Sequence, residues 1–363
     1  MRTNTTNTSI RTAVIENLEG REMLSGSLLT VGQPMGISLN VVGVANHAGI
    51  AMTQSTVEGR NVSRKAAPAH KKPVKPAKPS KPAKKTTISK RTSTTTTKTT
   101  TTTTVTTPWT IAASQPVAAE PAAISGTTYM NFSNQPLFAA NGPTQDDIRQ
   151  GDVGDCYYLS TLAAIAKVDP ARIEHSIEQM SDGTYVVQIF NGSTPEYVHV
   201  DGELPTWSNG APVYANLGQG GSTWVAIMEK AFADVRTGAN SYASLNSGWM
   251  TESFSSFGLT STGSYGFSSS SQLVSTIQGE LTASDAVTIG INTPAQGAPL
   301  IGSHAYTVVG TVADPSGAGT DVVLRNPWGI DGVSNSSNPN DGYVTITAAQ
   351  LFASEMGVVS AIA

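Results

Sequence analysis

Cys156 is the only cysteine among 363 residues, and the residues around it suit a nucleophile. It stands in Gln150-Gly-Asp-Val-Gly-Asp-Cys-Tyr-Tyr-Leu-Ser160, where Gly151 and Gly154 predict a tight loop with unusual backbone angles. Asp155 is placed to cap a helix in which Leu159, Leu162, Ala163 and Ala166 recur at helical spacing. Cys156 then falls in the first turn, where unpaired amide groups and the positive dipole end favour thiolate over thiol. An ordinary lone cysteine is a small buried hydrophobe; this setting points to reactivity instead.

A thiolate nucleophile needs a base that later protonates the leaving amine, a group that fixes the base's ring, and donors for an oxyanion. The chain has five histidines. His47 and His70 lie in a polar N-terminal arm, His175 follows the nucleophile helix, and His199 sits among apolar neighbours as a core histidine would. His304 opens the run Ser303-His-Ala-Tyr-Thr-Val-Val-Gly310 at the start of a predicted strand, 148 residues after Cys156. That separation suits a thiol protease whose nucleophile and base come from facing lobes. Asn326 follows 22 residues later in Val322-Val-Leu-Arg-Asn-Pro-Trp-Gly329, at a strand end where its amide can hold an imidazole and Trp328 can shield the bond.

These three segments resemble the protease core of the calpain family of papain-like cysteine proteases. That family shows a Gln-Gly-x-x-Gly-Asp-Cys-Trp segment, a Gly-His-Ala-Tyr segment and an Arg-Asn-Pro-Trp-Gly segment in the same order. Asp201-Gly-Glu-Leu-Pro-Thr206 and the run from Trp224 to Phe232 are similar to further stretches of that core, and the likeness covers roughly residues 140–352. It implies a papain-like fold, Cys156 as nucleophile, His304 as base and acid, Asn326 as orienter, and Gln150 as side-chain oxyanion donor beside the Cys156 amide. Tyr157 stands where the family has Trp, and Ser303 where it has Gly. The resemblance also implies two core calcium sites. Asp147 matches an acidic ligand of the first, but Ser222 stands in place of its partner; Asp341 matches in the second, but Gly332 and Tyr343 replace acidic ligands. Calcium takes several charged oxygens, so the expectation is a core that requires no cofactor and binds calcium weakly if at all.

The elements that must position these groups begin late in the chain. Net charge is −4, yet residues 1–126 carry 16 Lys+Arg against 5 Asp+Glu and residues 127–363 carry 6 against 21. A basic arm on an acidic globular domain is the reading. Residues 1–63 are polar or weakly apolar and predicted to be poorly ordered. Within them Ile15-Glu-Asn-Leu-Glu-Gly-Arg-Glu-Met-Leu-Ser25 resembles an N-terminal motif of some exported bacterial proteins. Residues 64–126 read as a linker: lysines recur every third residue from Lys72 to Lys84 among prolines, lining one edge of a polyproline II rod, and a threonine tract follows. Such a comb is a solvated spacer or a contact for an anionic cell-wall polymer. With no aromatics between the lysines, specific nucleic-acid binding is not expected. No run approaches the roughly 18 apolar residues of a membrane span, and a secreted or cell-envelope location is favoured.

Residues 127–363 read as the catalytic domain, an α+β fold of two lobes, about 127–257 rich in helix and 258–363 rich in strand. Tyr185–Phe190 and Glu196–Asp201 are predicted strands joined at Asn191-Gly192, a hairpin signal. Later apolar runs at Val287–Ile291, Tyr306–Val309, Val322–Leu324 and Tyr343–Ile346 are strand-like. The functional expectation is a cysteine endopeptidase acting on protein or peptide substrates. Its rival is a catalytically silent module for binding or display on a stalk, and a third reading is acyl transfer by the same residues.

Overall fold

A computed structural model describes residues 107–317, 319–333 and 340–362. The expectations for the N-terminal arm, the lysine comb and the threonine tract lie outside those residues. The described chain opens with α1 (Pro108–Ala113), started by Thr107, whose side chain accepts from Thr110 while Thr110 caps back. The segment from Thr107 to Gly126 was expected to be linker. It is folded onto the domain instead. Trp109 meets Tyr197 edge-on at 4.9 Å between ring centroids, the Ala118 amide donates to His199 O at 2.8 Å, and Glu120 pairs with Lys230 at 2.8 Å. Alternating Ala and Pro residues carry little sequence signal for such docking, because the contacts are made by backbone groups and isolated side chains.

The helix-rich first half comprises β1 (Thr128–Asn131), α2 (Cys156–Val168), α3 (Pro170–His175), β2 (Ile177–Gln179), β3 (Tyr185–Asn191), β4 (Thr194–Val200), β5 (Glu203–Thr206), α4 (Trp224–Val235) and α5 (Met250–Ser256). Strand β1 pairs antiparallel with β5, and β2, β3 and β4 form a second antiparallel sheet. The β3–β4 hairpin closes with Asn191 opposite Thr194, and Gly192 at φ +62 supplies the left-handed position that the turn requires. Helix α2 is buried from Cys156 to Ala166, so it is a central helix rather than an amphipathic surface one. Its hydroxyl-bearing Thr161 is satisfied within the helix, Oγ1 donating to Tyr157 O at 2.9 Å.

The second half contains β6 (Ser261–Ser264), α6 (Ser270–Thr282), β7 (Ala286–Thr293), β8 (His304–Ala313), β9 (Thr320–Arg325), β10 (Tyr343–Thr347), α7 (Ala348–Ala353) and β11 (Glu355–Ala361). Its six strands lie in the order β10-β9-β8-β7-β11-β6, every pair antiparallel. Leu273, Ile277 and Leu351 from α6 and α7 cover one apolar cluster with Val287, Ile289, Tyr306, Leu324 and Val358. Each such side chain contributes about 1.5–3 kcal/mol by burial, so Ile277→Asp would break this layer. A larger cluster fills the first half and takes in Ala286, Ala305, Val359 and Ala361. These small residues let α2 lie against the sheet, and Thr307 Oγ1 fastens the contact by donating to Ser160 O at 2.7 Å. Helix α2, which begins with Cys156, is thereby held against the strand that begins with His304.

Candidate active site

Cys156 is the first residue of α2 and is 4% exposed. Asp155 occupies the cap position, but its side chain makes no capping bond; the helix start is held by its carbonyl, which accepts from Tyr158 and Leu159. Neither glycine of the preceding loop has positive φ, contrary to the sequence expectation. Gly151 is required for a different reason: a Cβ there would collide with the carbonyl oxygens of Val213 and Tyr214, so the loop can press onto that segment only without a side chain. The thiol also departs from expectation. Burial pushes it up to about 12, outweighing the opposing pull of the Ala305 and helix-start amides. The dipole argument assumed a solvated helix end, and this one is closed.

His304 begins β8 and is 1% exposed. Its Nε2 lies 2.9 Å from Asn326 Oδ1. Asn326 Nδ2 donates to Asp331 O at 3.2 Å and its Oδ1 also accepts from the Trp328 amide at 3.0 Å. The amide is therefore held with oxygen toward the ring, which assigns the imidazole proton to Nε2 and leaves a lone pair on Nδ1. Nδ1 is buried and has no hydrogen-bond partner among the described residues, so the thiol and imidazole are not yet paired. Trp328 covers the ring at 4.7 Å between centroids. Burial pushes the imidazole down to about 4, with Asn326 acting in the opposite direction, so the ring is neutral at pH 7. Ser303, just before it, has φ +50, a left-handed conformation that glycine adopts without strain.

Gln150 lies on the loop before α2. Its amide donates to Pro327 O at 2.8 Å, which ties the nucleophile loop to the Asn326 turn, and its side-chain Nε2 donates to Val153 O at 2.7 Å. His199 has both ring nitrogens engaged, at 2.8 Å to Gln115 O and 2.8 Å to Thr184 Oγ1, a satisfied core histidine. His175 closes α3.

The profile of the calpain family cysteine proteases matches residues 109–339. The chain belongs to the calpain family. It is 28% identical to Calpain-8 of Mus musculus over 249 residues, 63% of this chain and 35% of that protein. To the Calpain-2 catalytic subunit of Gallus gallus it is 33% identical over 129 residues, 34% of this chain and 18% of that one. To the calpain-type cysteine protease ADL1 of Oryza sativa subsp. japonica it is 32% identical over 122 residues, 33% of this chain and 5% of that protein. The chain thus spans little more than a third of these relatives at most. This calpain-family domain is α+β.

Calcium is the group that the family implies, and the residues at the first site do not fit it. Asp147 is fully buried, and protein donors already occupy its carboxylate. Oδ1 accepts from the Gln219 amide at 2.8 Å and faces Ser222 Oγ at 3.4 Å. Oδ2 accepts from Trp224 Nε1 at 3.0 Å, the Thr144 amide at 2.8 Å and Thr144 Oγ1 at 3.3 Å. A Cβ at Gly218 would come within 2.7 Å of Oδ1, so the cage is filled by protein. At the second site Asp341 accepts from the Tyr343 amide at 3.0 Å and is exposed. Gly332 offers no side chain, and the Tyr343 hydroxyl donates to Asp146 Oδ1 at 2.5 Å. One exposed carboxylate is not the multi-oxygen cage that calcium takes. A separate carboxylate cluster of Glu120, Asp201 and Glu203 surrounds a lysine: Lys230 Nζ lies 2.7 Å from Asp201 Oδ1, 2.8 Å from Glu120 Oε2 and 2.8 Å from Glu203 O.

Sequence reasoning missed the bracket that joins the segment leading to Cys156 with the one that holds Asn326. Arg325, 3% exposed, sends Nε to Asp146 Oδ1 at 3.1 Å and Nη2 to Ile148 O at 3.1 Å, while Gln145 Nε2 donates to the Tyr343 hydroxyl at 2.9 Å. Arg325 immediately precedes Asn326, so the arginine of the Arg-Asn-Pro-Trp-Gly segment was a signal that went unused.

Proposed function

We propose that this domain is a cysteine endopeptidase in which Cys156, His304, Asn326 and Gln150 carry the reaction. The observation that supports it is the oriented Asn326–His304 pair, which leaves the Nδ1 lone pair as proton acceptor on the strand packed against the Cys156 helix. His304 Nδ1 takes the thiol proton, and the thiolate attacks the scissile carbonyl carbon of a peptide. The oxyanion is received by the Cys156 amide and by Gln150 Nε2, once that group leaves Val153 O. The imidazolium returns its proton to the departing amine, leaving a thioester. Water then attacks the thioester with Nδ1 as base, and the acid product and free thiol are regenerated. Neither calcium nor any other cofactor is part of this proposal.

Incubation with an irreversible thiol-directed peptide inhibitor followed by mass measurement tests it, because one cysteine gives one adduct. The expected result is a single adduct, absent in Cys156→Ser and in His304→Ala. The closure of the site over Cys156 and His304 favours a second reading, a silent module for binding or display, and lack of adduct in the intact chain supports that reading. Protein substrates follow from the family. Contact of the lysine comb with an anionic wall polymer is a further proposal, tested by salt-sensitive retention of the intact chain, but not of a chain lacking residues 64–106, on isolated anionic wall glycan. Among the described residues no helix is long and apolar enough to cross a membrane.

A further inference from the structure

Asp155 and Glu229 are 0% and 1% exposed and take no part in the reaction above. Asp155 leaves its capping role to its carbonyl and turns its side chain inward, within hydrogen-bond reach of Glu229 on α4. Glu229 Oε2 accepts from the Ala215 amide at 2.9 Å. The other three oxygens, Glu229 Oε1 and both of Asp155, are buried without a hydrogen-bond partner. Two ionised carboxylates so arranged would face each other with their charges uncompensated in a low-dielectric interior, which is prohibitive.

The surrounding groups do not supply the missing charge. Arg236, at the end of α4, is the cation whose field reaches Asp155. Its guanidinium is committed to Glu252 at 2.7 and 2.9 Å and to the Ser247 carbonyl at 3.0 Å. Cys156, Tyr157 and Tyr158 on α2, with Tyr214 and Tyr242, are the other titratable groups facing the pair, and burial holds the thiol and all four hydroxyls neutral.

We infer that Asp155 and Glu229 share one proton, and that this shared proton holds the nucleophile loop and the first turn of α2 against α4. Asp155 is thus a positioning residue for Cys156, acting from the position just before it. Burial raises both carboxyls, Asp155 to about 7 and Glu229 well above the ordinary carboxylate range, so the first of the pair's two protons leaves near 7 and the shared one is held to higher pH. The sign follows from the raised folded-state value. The contribution is complete at acid pH, below the ordinary carboxylate range; it falls as pH rises through about 7, where Asp155 ionises, and is lost when Glu229 ionises above that. The positioning role rests on the protease reading; the shared proton does not.

The test uses the full chain, Glu229→Gln and Asp155→Asn, each amide replacing the shared proton with a permanent donor. Thermal melts from pH 5 to pH 8.5 should show the wild type losing roughly 5 °C more than either variant; Glu120, also raised to about 7, titrates in all three and cancels. The rate of Cys156 alkylation is the second readout. Thiolate chemistry alone raises it about tenfold per pH unit, and the charge of an ionised Asp155 opposes that rise in wild type and Glu229→Gln alike; the wild type should nevertheless climb more steeply than Glu229→Gln above pH 7 as the loop opens. Equal melting slopes, or equal alkylation slopes, overturn the proposal. So does failure of both amide variants to fold, since each supplies the donor it requires. Neither readout involves peptide cleavage, so the protease reading can fail while this one stands.

Discussion

Replacing Asp147 by Asn separates a carboxylate that holds calcium from one that holds the protein together. In this structure the carboxylate gathers a backbone amide, an indole N–H and two groups of Thr144 in a fully buried place. The amide of asparagine can replace one oxygen only. If it faces Trp224 and Thr144, the indole and the Thr144 amide lose their acceptor while the Thr144 hydroxyl can turn and accept; if it faces Gln219 and Ser222, the Gln219 amide loses its acceptor while the Ser222 hydroxyl can turn. Each orphaned donor costs about 1–3 kcal/mol, and bonds to a charged acceptor lie at the upper end. The expected loss is therefore about 2–5 kcal/mol, or on the order of 10 °C in Tm for a domain of this size. A calcium site with micromolar affinity would add about 4 kcal/mol at millimolar calcium by mass action, a shift of comparable size and opposite sign. Melts of wild type, Asp147→Asn and Asp341→Asn in chelator and in millimolar calcium measure both effects. Asp147→Asn should be destabilised equally in the two conditions, and wild type should melt at the same temperature in both. A calcium-dependent rise in wild-type Tm of about 8 °C, abolished in Asp147→Asn, would refute the argument that protein donors have filled the cage.

Five further outcomes are expected. Gln150→Ala should lower peptidase turnover about 100-fold, the usual scale for one oxyanion donor, and Asn326→Ala should lose less than His304→Ala because it only fixes the ring; both are read from kcat at saturating peptide. Ser303→Gly relieves a φ of +50 and should raise stability by up to about 1 kcal/mol in a denaturant melt. His304 is held near 4 by burial against about 6.5 unfolded, so its contribution is complete above pH 6.5 and is lost as pH falls toward 4, by about 3 kcal/mol; His304→Gln should flatten that acid limb. Deleting residues 107–126 in addition to 1–106 should lower Tm relative to deleting 1–106 alone, because it strips Glu120 from the buried Lys230; equal melting would mean that the docked segment adds nothing.

What the sequence made legible and what it hid divide along a physical line. Period and punctuation reported the elements: the Asn191-Gly192 turn and the apolar runs of β7 to β10 are local patterns set by backbone sterics and burial of one face. The residues around Cys156, His304 and Asn326 were legible because a thiol, an imidazole and an amide at strand and helix starts have few other uses. Environments, by contrast, are sums over distant contacts. The helix-start argument for a thiolate was sound locally, yet α2 is enclosed on all sides and desolvation exceeds the field of one turn's amides. Asp155 reads as a cap in any window of sequence; only the approach of Glu229, 74 positions later in the sequence, turns it inward and gives its proton a reason to stay. Arg325 likewise looks like a solvated charge until Asp146 and Ile148 are brought to it. In this domain the groups proposed to react are written in short motifs, whereas their protonation states are set by pairings across the fold. A closed site with a neutral thiol and a neutral imidazole therefore makes opening, rather than ionisation at the helix end, the step on which reactivity depends.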